Sequence, residues 1–172
     1  EKKNNPYGIK YLGDENKANF KYLNNKYLFF IALGNNLIRN KKSDLLDLIG
    51  LEQINVIHPD SSISERIKIG YGNFISRNSS INNAVEIGNS VIINTAAVIE
   101  HECKIESVAH IGPGVVLCGG VTIKKGTFIG ANSVIKENVC IGKNVVIGAG
   151  SVVLQNISNN SLAFGNPSRI KK

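Results

Sequence analysis

The chain has 172 residues, of which 42% are hydrophobic, 19% charged and only 6% aromatic, with no Trp. That composition excludes a disordered polymer and calls for a core of Ile and Val, and no apolar run approaches the roughly 18 residues that a membrane-spanning helix needs. The net charge of +7 divides into +3 over residues 1–55, +1 over 56–154 and +3 over 155–172, without a basic stripe interleaved with aromatics, so a nucleic-acid partner is not expected.

Residues 1–5, Glu-Lys-Lys-Asn-Asn, lead into no apolar segment of the kind a signal peptide carries. Residues 10–12 read as a short strand closed by Gly13-Asp14. Residues 27–33 form a continuous apolar run of strand length that ends at the turn signal Gly34-Asn35-Asn36. Apolar positions 37, 38, 45, 46, 48, 49 and 51 then predict a helix over 37–51, with Gly50 as its stop, and 54–57 reads as a second strand. Strand, turn, helix and strand make a βαβ unit, so residues 1–55 are expected to form a small α/β domain, with ligands at the carboxyl ends of its strands.

From Ile57 every sixth residue to Val153 is aliphatic: seventeen consecutive stations, fifteen of them Ile. If half of all positions were apolar, chance would give such a run about once in a hundred thousand. Two residues before most stations stands a small or β-branched residue, and Gly follows the station at 70, 88, 112, 130, 142 and 148. A period of six is neither helical nor a plain strand; it is a short strand plus a turn. Three such units make a triangular coil of about eighteen residues, stacked at about 4.8 Å. The expected fold over 56–154 is therefore a hexapeptide parallel β-helix of five to six coils. All stations should point inward, and the glycines after them should supply the positive φ of tight corners. Residues 155–172 read as a loop and cap over the last coil, as an open β-edge requires.

Three histidines on a β-helix raise the question of a metal. Counted from Ile57 around the coil, His101 falls at step 8 and His110 at step 17, on opposite sides. His58 lies at step 1, about three coils or ~14 Å away from His110, so no three-His site is expected within one chain. Three cysteines at irregular spacing argue against a disulfide framework and for a reducing, cytoplasmic location. Cys103 occupies an inward small position, and Cys118 and Cys140 have no adjacent base, so all three are expected to be structural. His101, two residues after Ile99, points away from the core beside Glu102. A histidine there is either a solvent-facing side chain or a base oriented by the neighbouring carboxylate.

The ladder, Glu100-His101-Glu102-Cys103, His110, residues 29–39 (Phe-Phe-Ile-Ala-Leu-Gly-Asn-Asn-Leu-Ile-Arg) and the ending Gly165-Asn166-Pro167-Ser168-Arg169 together resemble the bacterial sugar acyltransferases. These are the sialic acid O-acetyltransferase and UDP-amino-sugar N-acetyltransferase family, and the resemblance runs from about residue 12 to 169. It implies a left-handed β-helix, a homotrimer with active sites between neighbouring copies, acetyl-CoA as co-substrate, no metal, and a small-molecule sugar substrate. It makes His101 the general base and Glu102 the residue that raises its basicity. It places His110, Gly119, Ala131 and Ala149 against acetyl-CoA. Gly34, the Gly13-Asp14 corner and Asn94 fall at the sugar. The chain departs from the family in having no counterpart of the Gly-His-Gly-type turn that opens the family's head, and one acid, Asp14, at a corner where relatives often have two. A head that begins beyond the first strand and helix is therefore expected to grip a nucleotide sugar less fully. N-acetylation of a nucleotide-linked amino sugar is the leading expectation. O-acetylation of sialic acid is the second, and a non-catalytic trimeric platform is the alternative of another class.

Overall fold

The computed structural model describes residues 7–10 and 27–171. The Gly13-Asp14 corner, and all but the first residue of the strand expected at 10–12, lie outside the described residues.

From Val56–Ile57 to Val152–Val153 the chain forms seventeen two-residue strands that wind as a parallel solenoid of about six turns. The first sheet holds Val56–Ile57, Phe74–Ile75, Ile92–Ile93, His110–Ile111, Phe128–Ile129 and Val146–Ile147. The second runs from Ser62–Ile63 to Val152–Val153, and the third from Lys68–Ile69 to Cys140–Ile141. Partners are eighteen residues apart, as in Val56↔Phe74 and His110↔Phe128, so Ile stacks on Ile along the prism axis. Every station from Ile75 to Val153 is buried, and each such side chain contributes about 1.5–3 kcal/mol by leaving water. The first stations depart from the expected inward ladder: Ile57 is 45% exposed and Ile63 and Ile69 are half-buried, because no coil lies beneath them.

The corners also differ from expectation. None of the six glycines that follow a station has positive φ. They are glycines because the next coil lies against them: a Cβ on Gly112 would stand 2.6 Å from the Ile129 carbonyl oxygen and 2.9 Å from the Ala131 nitrogen. The left-handed residue is instead the third after each station. Every sixth residue from Gly72 to Gly150 has φ between +53° and +73°. Gly or Asn fills most of these places, but five consecutive ones hold Ala84, Ser90, Ala96, Glu102 and Val108. The left-handed region costs a non-glycine residue about 1–2 kcal/mol, and it is an outlier for β-branched Val108.

In the head, the helix Asn36–Leu48 is capped by Asn35, whose side chain accepts from the Ile38 N–H at 3.1 Å. It ends at left-handed Gly50, after which the Leu51 N–H returns to the Leu46 carbonyl. It thus stops short of the expected 51. The two flanking strands reduce to one parallel bridge, Phe29↔Gln53, so a single helix and a bridge stand where the βαβ unit was expected. The helix docks on the solenoid through polar residues. Arg39 and Ser43 are buried, while Leu37, Ile38, Leu45 and Leu48 are exposed. The tail is not a loop. Ile157 bridges Ile141, Leu162–Gly165 continues the first sheet in parallel beside Val146–Ile147, and Ser168–Ile170 folds back antiparallel on it.

Candidate active site

The second residue after each station sits at a corner with its backbone N–H unused by the ladder. At some corners a side chain accepts that N–H: Asn89 at Tyr71, Glu106 at Lys125 and Asn159 at Lys143. Pro59 and Pro113 occupy the same place, where a missing N–H costs nothing. His101, Gly119, Ala131 and Ala149 all hold this position, and among the described residues their N–H groups, like those of Arg77, Asn83, Ser107 and Glu137, have no acceptor.

His101 lies at the corner between the second and third sheets. Its Nδ1 is 3.1 Å from Glu102 Oε2, and both side chains are largely exposed. Eighteen residues on, Gly119 lies under the imidazole: a Cβ there would be 2.7 Å from His101 Cε1 and Nε2. Glycine at 119 therefore leaves the ring its place and its Nε2 edge open. Glu100, a second neighbour in sequence, instead accepts from Asn82 Nδ2 at 2.7 Å.

His110 is on the first sheet, half-buried, with Phe128 edge-on at a centroid distance of 5.0 Å. Asn94 Oδ1 accepts from the Thr95 N–H at 2.8 Å, which turns its amide Nδ2 toward His110 Nε2 at 3.4 Å. The Gly34 carbonyl lies 3.4 Å from Nδ1. These partners assign a neutral ring with its proton on Nδ1, and burial pushes its pKa below 6.5 in agreement.

The expected residues thus form two groups on different edges of the prism. His101, Glu102 and Gly119 share one corner. Gly34, Asn94 and His110 meet on the first sheet, with Ala131 and Ala149 one coil apart at its edge with the second. One chain does not bring His101 to His110. Burial raises the Cys103 thiol to about 11, and burial also raises Cys118, so neither is poised as a nucleophile. Among the described residues, no group of three or more His, Cys, Asp or Glu is placed to hold a metal ion, and no helix is long and apolar enough to cross a membrane.

Arg39 carries more of this site than its place in the sequence motif suggested. Its guanidinium, 1% exposed, donates to the carbonyls of Ser90 (2.9 Å), Leu33 and Gly34 (3.0 Å each), Val108 (3.0 Å) and Ala109 (3.4 Å), and to Asn36 Oδ1 (2.8 Å). It therefore fixes the Gly34 carbonyl that faces His110. The signal in the sequence was the polar stripe Asn36, Arg39, Ser43 and Asp47 at helical spacing. Phe128 was signalled by its distance of eighteen residues from His110.

The bacterial transferase hexapeptide family (six repeats) matches residues 102–136 and 120–155. No curated protein matches the chain. A mutant of perosamine N-acetyltransferase from Caulobacter crescentus, crystallised with CoA and GDP-perosamine, superposes with a TM-score of 0.83 at 33% identity, over 84% of this chain and 69% of that one. The acetyltransferase domain of PglB from Neisseria gonorrhoeae, in complex with acetyl coenzyme A, gives 0.81 at 29% identity, over 83% and 69%. WeeI from Acinetobacter baumannii gives 0.80 at 27%, over 84% and 70%. The chain belongs to the hexapeptide-repeat sugar acyltransferases, and it is an acyltransferase enzyme.

Proposed function

We propose that the protein transfers the acetyl group of acetyl-CoA to the amine of a nucleotide-linked amino sugar, directly and within a ternary complex. The observation that carries this reading is the His101 imidazole, held by Glu102 at Nδ1 and left open at Nε2 by Gly119. The neutral amine attacks the thioester carbonyl carbon and loses a proton to His101 Nε2, while Glu102 stabilises the imidazolium. The Gly119 N–H, which has no acceptor among the described residues, is the donor we assign to the tetrahedral oxyanion. Collapse breaks the C–S bond and the thiolate takes a proton, giving amide and CoA. The remaining acceleration comes from holding two substrates in one cleft. An amine is favoured over a hydroxyl because the Caulobacter relative is an N-acetyltransferase crystallised with a nucleotide-linked sugar.

The two half-sites support a homotrimer of left-handed coils in which neighbours complete one another. Outward residues of the third sheet are polar or charged at Lys68, Glu86, Lys104 and Thr122, whereas the first and second sheets present Phe128, Val146, Val116 and Val134. Copies that pack through these apolar faces bring the His101 corner of one toward the first sheet of the next. Ala131 and Ala149, small and with N–H groups that have no acceptor among the described residues, suit a pantetheine arm that passes close to the backbone. Acetyl transfer assayed with UDP- and GDP-linked 4-amino sugars and with sialic acid tests the reading. His101→Ala should lose about 10²–10⁴ in kcat on an amino sugar. An undiminished rate, or turnover of sialic acid alone, refutes it.

A further inference from the structure

Between the helix and the solenoid lies a cleft of about 670 Å3 that shares only Gly34 with the half-sites. One wall is the segment from Gly34 to Lys41. The other is the corner between the third and first sheets, with Lys125, Lys143 and the ring of Phe128. It begins against Gly34 and Phe128, the two residues that flank His110. Lys125 and Lys143 are eighteen residues apart and so are stacked in successive coils, about 4.8 Å from backbone to backbone. Lys41 faces them from the helix wall. None of the three ammonium groups is in an ion pair among the described residues. Glu106 spends a carboxylate oxygen on the Lys125 backbone N–H, at 2.9 Å. Stacked like charges repel one another at a sheet corner, and an anion between the ammonium groups removes the repulsion.

We propose that this cleft binds the diphosphate of the nucleotide-linked acceptor. Lys41, Lys125 and Lys143 neutralise the two phosphates, and Phe128 packs against the uncharged sugar end where it meets His110. The inference rests on the reading that the acceptor is nucleotide-linked, and it moves part of the grip on that acceptor from the head to the solenoid corner. The cleft's chemistry suits an ester of this kind: cations at one end, and at the other the ring of Phe128, whose far edge meets the His110 imidazole.

The test is a titration of the full chain with UDP, GDP and CoA, repeated on Lys125→Ala/Lys143→Ala and on Lys41→Ala. All three side chains are solvent-exposed corner or helix residues, and an unchanged thermal transition checks the fold. Kd for UDP or GDP should rise at least tenfold in the double variant and several-fold in Lys41→Ala, CoA should change less than threefold, and added salt should weaken the wild type more than the variants. Unchanged UDP and GDP affinity overturns the inference, as does a CoA shift as large as theirs, which would assign the cleft to the acyl donor. If no nucleotide-linked amino sugar is acetylated but UDP binding still depends on the lysines, the proposed activity fails and the diphosphate site stands. If acetylation proceeds with the same acceptor KM in the double variant, the reverse holds.

Discussion

Replacing Arg39 by alanine should undock the helix while leaving the solenoid wound. The guanidinium makes six contacts to acceptors at 2.8–3.4 Å. Hydrogen bonds to a charged group contribute about 1.5–3 kcal/mol each. Against them stands the cost of burying the cation, which pushes its pKa down to about 10 and so amounts to roughly 3 kcal/mol. Water entering the vacated space would satisfy some of the carbonyls, so the expected net loss is about 3–5 kcal/mol, the range for a broken buried charge network. Urea unfolding followed at 222 nm reads mainly this helix. Hydrogen exchange of the amides over 36–48 should quicken by orders of magnitude, while the amides of the coils from Ile93 to Ile147 keep their protection. Arg39→Lys should recover only part of the loss, because three donors on one nitrogen cannot span carbonyls from Leu33 to Ala109. A loss below about 1 kcal/mol, or equal deprotection of the coils, would refute the view that one side chain holds head to solenoid.

Gly119→Ala should reduce kcat at least tenfold with little change in stability, since the intruding Cβ displaces the exposed His101 ring rather than backbone. Gly112→Ala, whose Cβ meets backbone atoms of the next coil, should instead lower stability by 2 kcal/mol or more, on the order of an overpacked core; thermal unfolding of both variants beside their kinetics separates the cases. His110 has a folded-state pKa pushed below 6.5 by burial, so its contribution is intact above pH 6.5 and is lost as pH falls through the lowered value, where the unfolded chain binds the proton first. Stability should therefore fall on acidification below pH 6.5, and less so in His110→Asn; imidazole resonances followed by NMR should show this ring titrating below its ordinary value. Ala84→Gly should gain up to about 1 kcal/mol, because Ala84 is exposed at φ +60°, and an unchanged or lowered Tm contradicts the strain assigned to that corner.

The solenoid was legible because its periodicity is repeated without interruption: stations six residues apart fix the coil, and the coil fixes which residues share an edge. The steps of 8 and 17 already separate His101 from His110. Less legible were features set by contact between coils. The glycines after the stations looked like corner glycines, yet they serve a close approach that only the stacked neighbour reveals, and the left-handed place two residues later is filled too variably to stand out. The helix was less legible for another reason. Its apolar positions mark a helix without telling which face turns inward, and the surface it meets is a row of corner carbonyls at Ser90, Val108 and Ala109. Arg39 and Ser43 are therefore the inward residues, and Leu37 and Leu48 point out.

A coil of this kind positions its chemistry by count. The imidazole of His101 rests over Gly119 because eighteen residues separate them, and His110 meets Phe128 for the same reason. Lys125 and Lys143 are aligned by the same spacing. Outward residues are therefore free to vary in type without disturbing the ladder, whereas one residue added between stations would carry every later corner to a different edge. The left-handed residues supply the complementary constraint. Glu102 and Val108 occupy such places without being Gly or Asn, and they lie beside His101 and beneath Arg39 respectively. At 102 the left-handed place sets a carboxylate beside an imidazole, and at 90 and 108 it sets carbonyls onto a buried guanidinium, whereas Ala84 and Ala96 hold the same conformation without such a contact. The interior ladder supplies the stability that tolerates this conformation.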